Sequence, residues 1–226
     1  MTLPMKVDLR PQCPAVLDQG QLGSCTANAI ANAHLFDQMK QTAASPFPPS
    51  RLFIYYNERA MEQTVDQDAG AMLRDGIKSV AKQGVCPEPQ WPYTQSKFAD
   101  RPTAACYKTA LDHQAVSYQR LTQNLLQMKG CLASGYPFVF GFTVYESFES
   151  PRTAETGVAT LPRPDEHVVG GHAVLAVGFQ DAQQRFIVMN SWGTGWGDAG
   201  FFTIPYAYLI DDNLSADFWT LRVVEV

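Results

Sequence analysis

The chain has 226 residues, 46% of them hydrophobic and 17% charged, and 17 basic against 22 acidic side chains give a formal net charge of −5. That length and apolar content suffice for a real core, which excludes wholesale disorder. The charge argues against a dedicated nucleic-acid binder, which would carry a basic face. The most apolar windows, residues 137–145 and 172–179, fall far short of the ~20 residues of a membrane span.

The N-terminus, Met1-Thr-Leu-Pro-Met-Lys-Val-Asp, has no apolar h-region. The expectation is a cytoplasmic protein, one exported by a leaderless route, or one whose leader has been removed. A first helix is predicted from Ser24 and Thr26, which precede a stripe of Ala27, Ile30, Ala31 and Leu35. Its small residues predict close packing. Ser50, after Pro48-Pro49, is placed to cap a second helix running to about Glu62. Leu73, Ile77, Val80 and Ala81 mark a third, stopped by Gly84. The proline-rich stretch 85–102 reads as an ordered surface loop. Leu121, Leu125, Met128 and Leu132 predict one more helix, ending before Gly135.

Beyond that the pattern changes to strands. Phe138, Phe140, Phe142 and Val144 alternate with Val139, Gly141, Thr143 and Tyr145. Residues 172–179, 185–189, 201–204 and 219–224 are further short apolar runs bounded by Gly, Asp or Pro. Residues 151–164 read as an exposed loop. Helices followed by strands indicate an α+β fold whose two halves meet at a cleft.

Three segments carry chemistry. Asp18-Gln19-Gly20-Gln21-Leu22-Gly23-Ser24-Cys25 places a cysteine at a predicted helix start, where unpaired N–H groups favour an anion. A thiolate there is a nucleophile. Gly170-Gly171-His172-Ala173-Val174 places a histidine at the head of an apolar strand, able to take the thiol proton and return it to a leaving amine. In Asn190-Ser191-Trp192-Gly193-Thr194-Gly195-Trp196-Gly197, the Asn carbonyl is suited to hold the imidazole tautomer and Trp192 to shield that bond. Taken singly, Cys25 reads as a small buried hydrophobe, His172 as a hydrogen-bonded core histidine and the third segment as a glycine-rich hairpin. His34, His113 and His167 are weaker candidates. Asp66-x-Asp68-x-Gly70 lacks the remaining ligands of a calcium loop. No nucleotide-binding glycine motif is present, so neither metal nor cofactor is expected.

Together, Gln-Gly-x-x-Gly-Ser-Cys, Gly-His-Ala-Val and Asn-Ser-Trp-Gly-Thr-Gly-Trp-Gly resemble the papain (C1) family of cysteine peptidases. His172 follows Cys25 by about 147 residues, within the ~130–150 of the family. Weaker agreement continues through Asp68-Ala69-Gly70, Trp91-Pro92-Tyr93 and Gly200-Phe201-Phe202. The resemblance implies a papain-like two-lobed fold over residues 1–226. It implies a helical lobe of roughly 11–115, and a β-barrel-like antiparallel lobe of roughly 116–226 plus the N-terminal strand. The active site would lie in the cleft between them. It implies Cys25 as nucleophile, His172 as general base and then acid, Asn190 as its orienting partner, and Gln19 as oxyanion donor with the Cys25 N–H. Gly70 would pair with an extended substrate. Gly23, Ser24 and Gly171 would line the substrate path, and Trp192 and Trp196 the leaving-group side. The partner would be a polypeptide or peptide substrate, with a pro-segment or protein inhibitor as a further one, and the chain would act as a monomer. The absence of a long propeptide and of a signal resembles bacterial members. Control would lie elsewhere, or residues 1–9 would be the remnant of a pro-segment that partly covers the cleft.

The chain also departs from the family. Leu22 stands where many members carry cysteine, and Thr26 where an aromatic usually follows the nucleophile. The family's first structural disulfide is thereby ruled out. Cys106 falls near a family half-cystine, but its partner position, around Asn57, is not cysteine. With five cysteines and no C-x-x-C, most are expected as thiols. A non-hydrolytic thiol acyltransferase and a peptide-binding pseudoenzyme are the other classes considered. The Asn third member argues against the first, and retention of Cys25, His172 and Gln19 against the second.

Overall fold

A computed structural model describes residues 2–225. Its strands are β1 (Lys6–Asp8), β2 (Ala115–Arg120), β3 (Phe138–Tyr145), β4 (Val168–Gln180), β5 (Arg185–Met189), β6 (Phe201–Pro205) and β7 (Ser215–Val224). Its α-helices are α1 (Cys25–Lys40), α2 (Arg51–Glu62), α3 (Leu73–Gln83), α4 (Ala104–Ala110), α5 (Leu125–Ala133), α6 (Pro151–Thr156) and α7 (Tyr206–Ile210). The chain divides into two units: residues 2–18 with Arg120–Thr220, and Gln19–Gln119 with residues 221–225. No helix among the described residues is long and apolar enough to cross a membrane.

The first unit is built on an antiparallel sheet ordered β7-β3-β4-β5-β6, with β1 on β4. The period-two pattern of β3 turns Phe138, Phe140, Phe142 and Val144 into the core. Phe140 stacks on Phe218 at 5.8 Å, and Phe138 meets Phe186 edge-on at 6.0 Å. β4 is buried on both faces from His172 to Phe179, which explains its unbroken apolar run. α5 packs against β3 and β4.

The sheet is open, which corrects the barrel-like lobe. Closure needs the outer edge of β6, and Gly157–Ala159 occupy it. The Thr203 N–H donates to Gly157 O, and the Ala159 N–H donates to Thr203 O. The strand at 6–8 pairs with Gly178–Gln180 of β4, so these residues complete the sheet. Two further expectations are corrected. Residues 151–164 contain a helix, because Ser150 accepts the Thr153 N–H and Pro151 sits at the first helical position. α5 begins at Leu125 because Asn124 caps it, while the Leu121 N–H donates to Phe218 O in strand fashion.

The second unit is helical. α1 is buried almost all round, as its small residues predict. Ser50 caps α2 by accepting the Phe53 N–H, and Gly84, at φ 72°, ends α3. The 85–102 stretch holds a short 3-10 turn at Gln95–Lys97. α4 follows it, started by Thr103, which accepts the Cys106 N–H. β2 lies beside β7, whose last residues belong to this unit. The Asn57 side chain accepts the Tyr107 hydroxyl at 2.8 Å. No disulfide joins any of the five cysteines.

Candidate active site

In the helical unit, Cys25 is the first residue of α1 and is half-buried. The segment before it is held from several sides. The Gln19 Nε2 donates to Leu22 O at 3.0 Å, and the Ser24 N–H to Leu22 O at 2.7 Å. The Gly23 N–H donates to both Asp68 carboxylate oxygens, at 2.9 and 3.2 Å, and the Tyr55 hydroxyl donates to the same carboxylate at 2.5 Å. A Cβ on Gly23 would come within 3.3 Å of the Gly70 N, so the two glycine segments approach closely. Gly70 has φ +75°, a conformation glycine adopts without strain, and a Cβ there would meet only Gly23 O.

Ser24 precedes α1 without capping it through its side chain. Its hydroxyl instead meets the Tyr93 hydroxyl at 2.5 Å and accepts from Asn28 Nδ2 at 3.0 Å. Thr26 donates to Glu58 Oε1 at 2.5 Å. Glu58 is fully buried, and burial pushes its carboxyl up to about 8. It is therefore neutral at pH 7 and adds no negative charge near the start of α1.

In the sheet unit, His172 lies on β4 opposite Phe142 of β3. Its Nε2 is 2.7 Å from Asn190 Oδ1. That oxygen also accepts the Ser191 backbone N–H at 2.9 Å, which fixes the orientation of the amide. Nε2 must then carry the hydrogen, and the neutral ring presents its lone pair at Nδ1. Asn190 Nδ2 is buried without a hydrogen-bond partner. Trp192 stacks on the imidazole at 4.8 Å, with Phe142 at 5.8 Å and Phe148 at 6.4 Å. Trp196 meets Trp192 edge-on at 5.1 Å. Burial in this aromatic setting pushes the imidazole down to about 4, against a smaller raising effect of the Asn190 bond. Gly170 and Gly171 are exposed at the head of β4.

Sequence reasoning singled out Cys25, Gln19, Gly23, Ser24 and Gly70, which one unit holds, and His172, Asn190, Gly171, Trp192 and Trp196, which the other holds. It gave no role to Asp68, which stood only in a rejected calcium pattern and in Asp68-Ala69-Gly70, and none to Tyr55, Glu58 or Tyr93. Tyr93 was visible only as part of Trp91-Pro92-Tyr93. No cluster of three or more potential metal ligands occurs among the described residues.

The fold is papain-like. Residues 3–211 match the family described as papain family cysteine protease, and the chain belongs to that family. It is 46% identical over 227 residues to an uncharacterised peptidase C1-like protein of Acanthamoeba polyphaga mimivirus, covering 97% of this chain and 73% of that one. It is 30% identical to a cathepsin B-like protein (CP3) of Giardia intestinalis, covering 86% of this chain and 65% of that one. Among solved structures it is similar to xylellain, a cysteine protease from Xylella fastidiosa. The TM-score is 0.94 at 43% identity, covering 98% of this chain and 87% of that one.

Proposed function

We propose that this chain hydrolyses peptide bonds within polypeptides, with Cys25 as nucleophile and His172 as its base and acid. Cys25 Sγ attacks the scissile carbonyl carbon while its proton passes to His172 Nδ1. The C–N bond then breaks, the proton goes to the departing amine, and a thioester remains on Cys25. Water, losing a proton to His172, attacks the thioester. The acid product leaves and the thiol is restored. The Gln19 amide and the Cys25 N–H stabilise the tetrahedral oxyanion. Losing one such donor typically costs ~2.7–4 kcal/mol of transition-state stabilisation. Gly70 offers its main chain to the substrate, beside Gly23 and Ser24. Gly171, Trp192 and Trp196 serve the leaving-group side.

The observation that carries this reading is the His172–Asn190–Ser191 hydrogen bonding, which leaves Nδ1 of a buried, neutral imidazole as the proton acceptor. The test is turnover of fluorogenic peptides, with an active-site titrant to count competent enzyme. Cys25→Ala should keep the fold and abolish hydrolysis. Retained turnover in that variant would exclude the assignment.

A further inference from the structure

The segment Gln19–Ser24 begins with the proposed oxyanion donor and ends beside the proposed nucleophile. A single side chain bridges its two ends. Tyr93 Oη lies 2.9 Å from the Gln19 backbone oxygen and 2.5 Å from Ser24 Oγ. The proton count orders this network. A phenol has one hydrogen, and the Gln19 carbonyl only accepts, so Tyr93 donates to Gln19 O. Ser24 Oγ must then donate its own hydrogen to Tyr93 Oη. The Ser24 lone pairs in turn receive Asn28 Nδ2–H, and the same Nδ2 also donates to Ser24 O at 2.9 Å. Burial pushes the phenol's titration upward, so it stays a donor.

The ring is itself anchored. The Arg51 guanidinium lies 3.7 Å from the Tyr93 ring centroid, reaches Asn28 Oδ1 and is paired to Glu88 at 2.9 Å. Tyr93 follows Trp91-Pro92, and the Trp91 carbonyl accepts the Ser50 hydroxyl at 2.6 Å. The bridging hydroxyl therefore hangs from α2 and from the loop after α3, independently of the segment it holds.

We infer that Tyr93 is a positioning residue for the reaction: its hydroxyl ties the backbone of Gln19 to Ser24 and sets where the oxyanion donors stand relative to Cys25. The inference rests on the role given to Gln19 and Cys25 above. It separates two kinds of chemistry at the same sulfur. Peptide hydrolysis passes through an oxyanion and needs the donors in place. Alkylation by iodoacetamide displaces iodide at a saturated carbon and forms no oxyanion.

The experiment compares wild type, Tyr93→Phe and Ser24→Ala in both reactions. Tyr93→Phe removes both hydrogen bonds and keeps the ring under Arg51. Misplacement of catalytic groups by ~1 Å can cost ~100-fold, and loss of this tie is expected to lower kcat about tenfold. KM should change less than about twofold, and the rate of Cys25 alkylation should stay within about twofold. Ser24→Ala removes one end of the bridge and should lower kcat by a smaller factor, again with unchanged alkylation. It decides the matter if Tyr93→Phe does not fold. An unchanged kcat in the folded variants overturns the inference, as does a kcat loss matched by an equal loss of alkylation rate. A wild-type protein whose Cys25 alkylates but turns over no peptide overturns the underlying reading instead.

Discussion

His172 Nε2 and Asn190 Oδ1 sit 2.7 Å apart inside the sheet unit, and the Ser191 N–H donates to the same oxygen at 2.9 Å. The amide is thus aligned by backbone, and the ring by the amide. The arrangement leaves Asn190 Nδ2 buried and unbonded, a cost of roughly 1–3 kcal/mol for a polar group without a partner. The structure accepts that cost at the one position that sets the imidazole tautomer.

Asn190→Ala should therefore lower kcat on a fluorogenic peptide by about ten- to a hundredfold without abolishing turnover, because the proposed nucleophile and base persist. Trp192 still stacks on the ring and limits its rotation. A kcat equal to wild type would mean that Asn190 does not orient His172.

Selective alkylation checks the nucleophile. Burial pushes the Cys13 thiol up to about 12 and raises that of Cys86 further. Cys86, Cys106 and Cys131 are buried. Cys25 is half-buried at the start of α1, where the helix dipole favours an anion. Iodoacetamide at pH 6–7 should modify Cys25 far faster than the other four, read by peptide-mapping mass spectrometry. Equal labelling of all five would reject the assignment.

How much of this was legible in the sequence depended on the range of the interaction. β3 and α2 follow from local periodicity and from one capping serine, and both stand where those signals put them. The short α4 and α6 rest on Thr-x-x and Ser-Pro starts that their proline-rich and polar surroundings obscured. Contacts across long separations left no trace. Thr26 meets Glu58, Gly23 meets Asp68 and Gln19 meets Tyr93 through pairings that no spacing announces. The proposed reacting groups were readable because their motifs are contiguous. The side chains that hold them in place were not.

Two buried histidines contribute stability that is lost on acidification. His34 donates Nε2–H to His113 O, and its Nδ1 accepts from Gln38 Nε2. Gln38 cannot turn over, because it also donates to Phe47 O and accepts the Phe47 N–H. Burial pushes both His34 and His172 down to about 4, from about 6.5 in an unfolded chain. Between those values these two side chains bind more protons in the unfolded chain than in the folded one. Their contribution to stability should then fall as pH drops from about 6.5 toward 4, opposed over part of that window by Glu58 and Asp37, and they add no further loss below that. Thermal melts across this window measure it. His34→Gln should flatten the slope, and an unchanged slope would show that His34 is not the titrating group.

Glu58 acts with the opposite sign. Its folded value, about 8, lies above the model-peptide value of 4.5, because burial disfavours the carboxylate and Glu62 and Asp75 add repulsion that Arg59 only partly offsets. The stabilising difference is complete below about 4.5 and is lost as pH rises through 8. Asp37 follows the same direction, pushed up by burial to about 7. Glu58→Gln keeps an acceptor for Thr26 and cannot ionise. Its melting temperature should match wild type near pH 5 and exceed it near pH 9. Parallel curves at both pH values would exclude ionisation of Glu58 as the cause.

Arg59 shows how a buried cation holds a loop of the candidate site. It is fully buried. Its guanidinium donates to Tyr55 O, Val65 O, Gln67 O and Phe98 O at 3.1, 2.6, 3.1 and 2.5 Å, and lies 3.9 Å from the Tyr55 ring centroid. Two of those carbonyls, Val65 O and Gln67 O, lie three and one residues before Asp68, so the planar fork fixes the segment that reaches Gly23. Arg59→Met fills similar space but leaves the Val65, Gln67 and Phe98 carbonyls without this donor, while Tyr55 O stays within the helix. At ~1–3 kcal/mol for each buried group left unpaired, and with partial relaxation, the expected loss is about 3–5 kcal/mol in urea unfolding. Arg59→Lys brings a point charge with fewer donors and no fork, and should fall between. A loss below about 1 kcal/mol for Arg59→Met would show that water satisfies the carbonyls and that the loop stands without the fork.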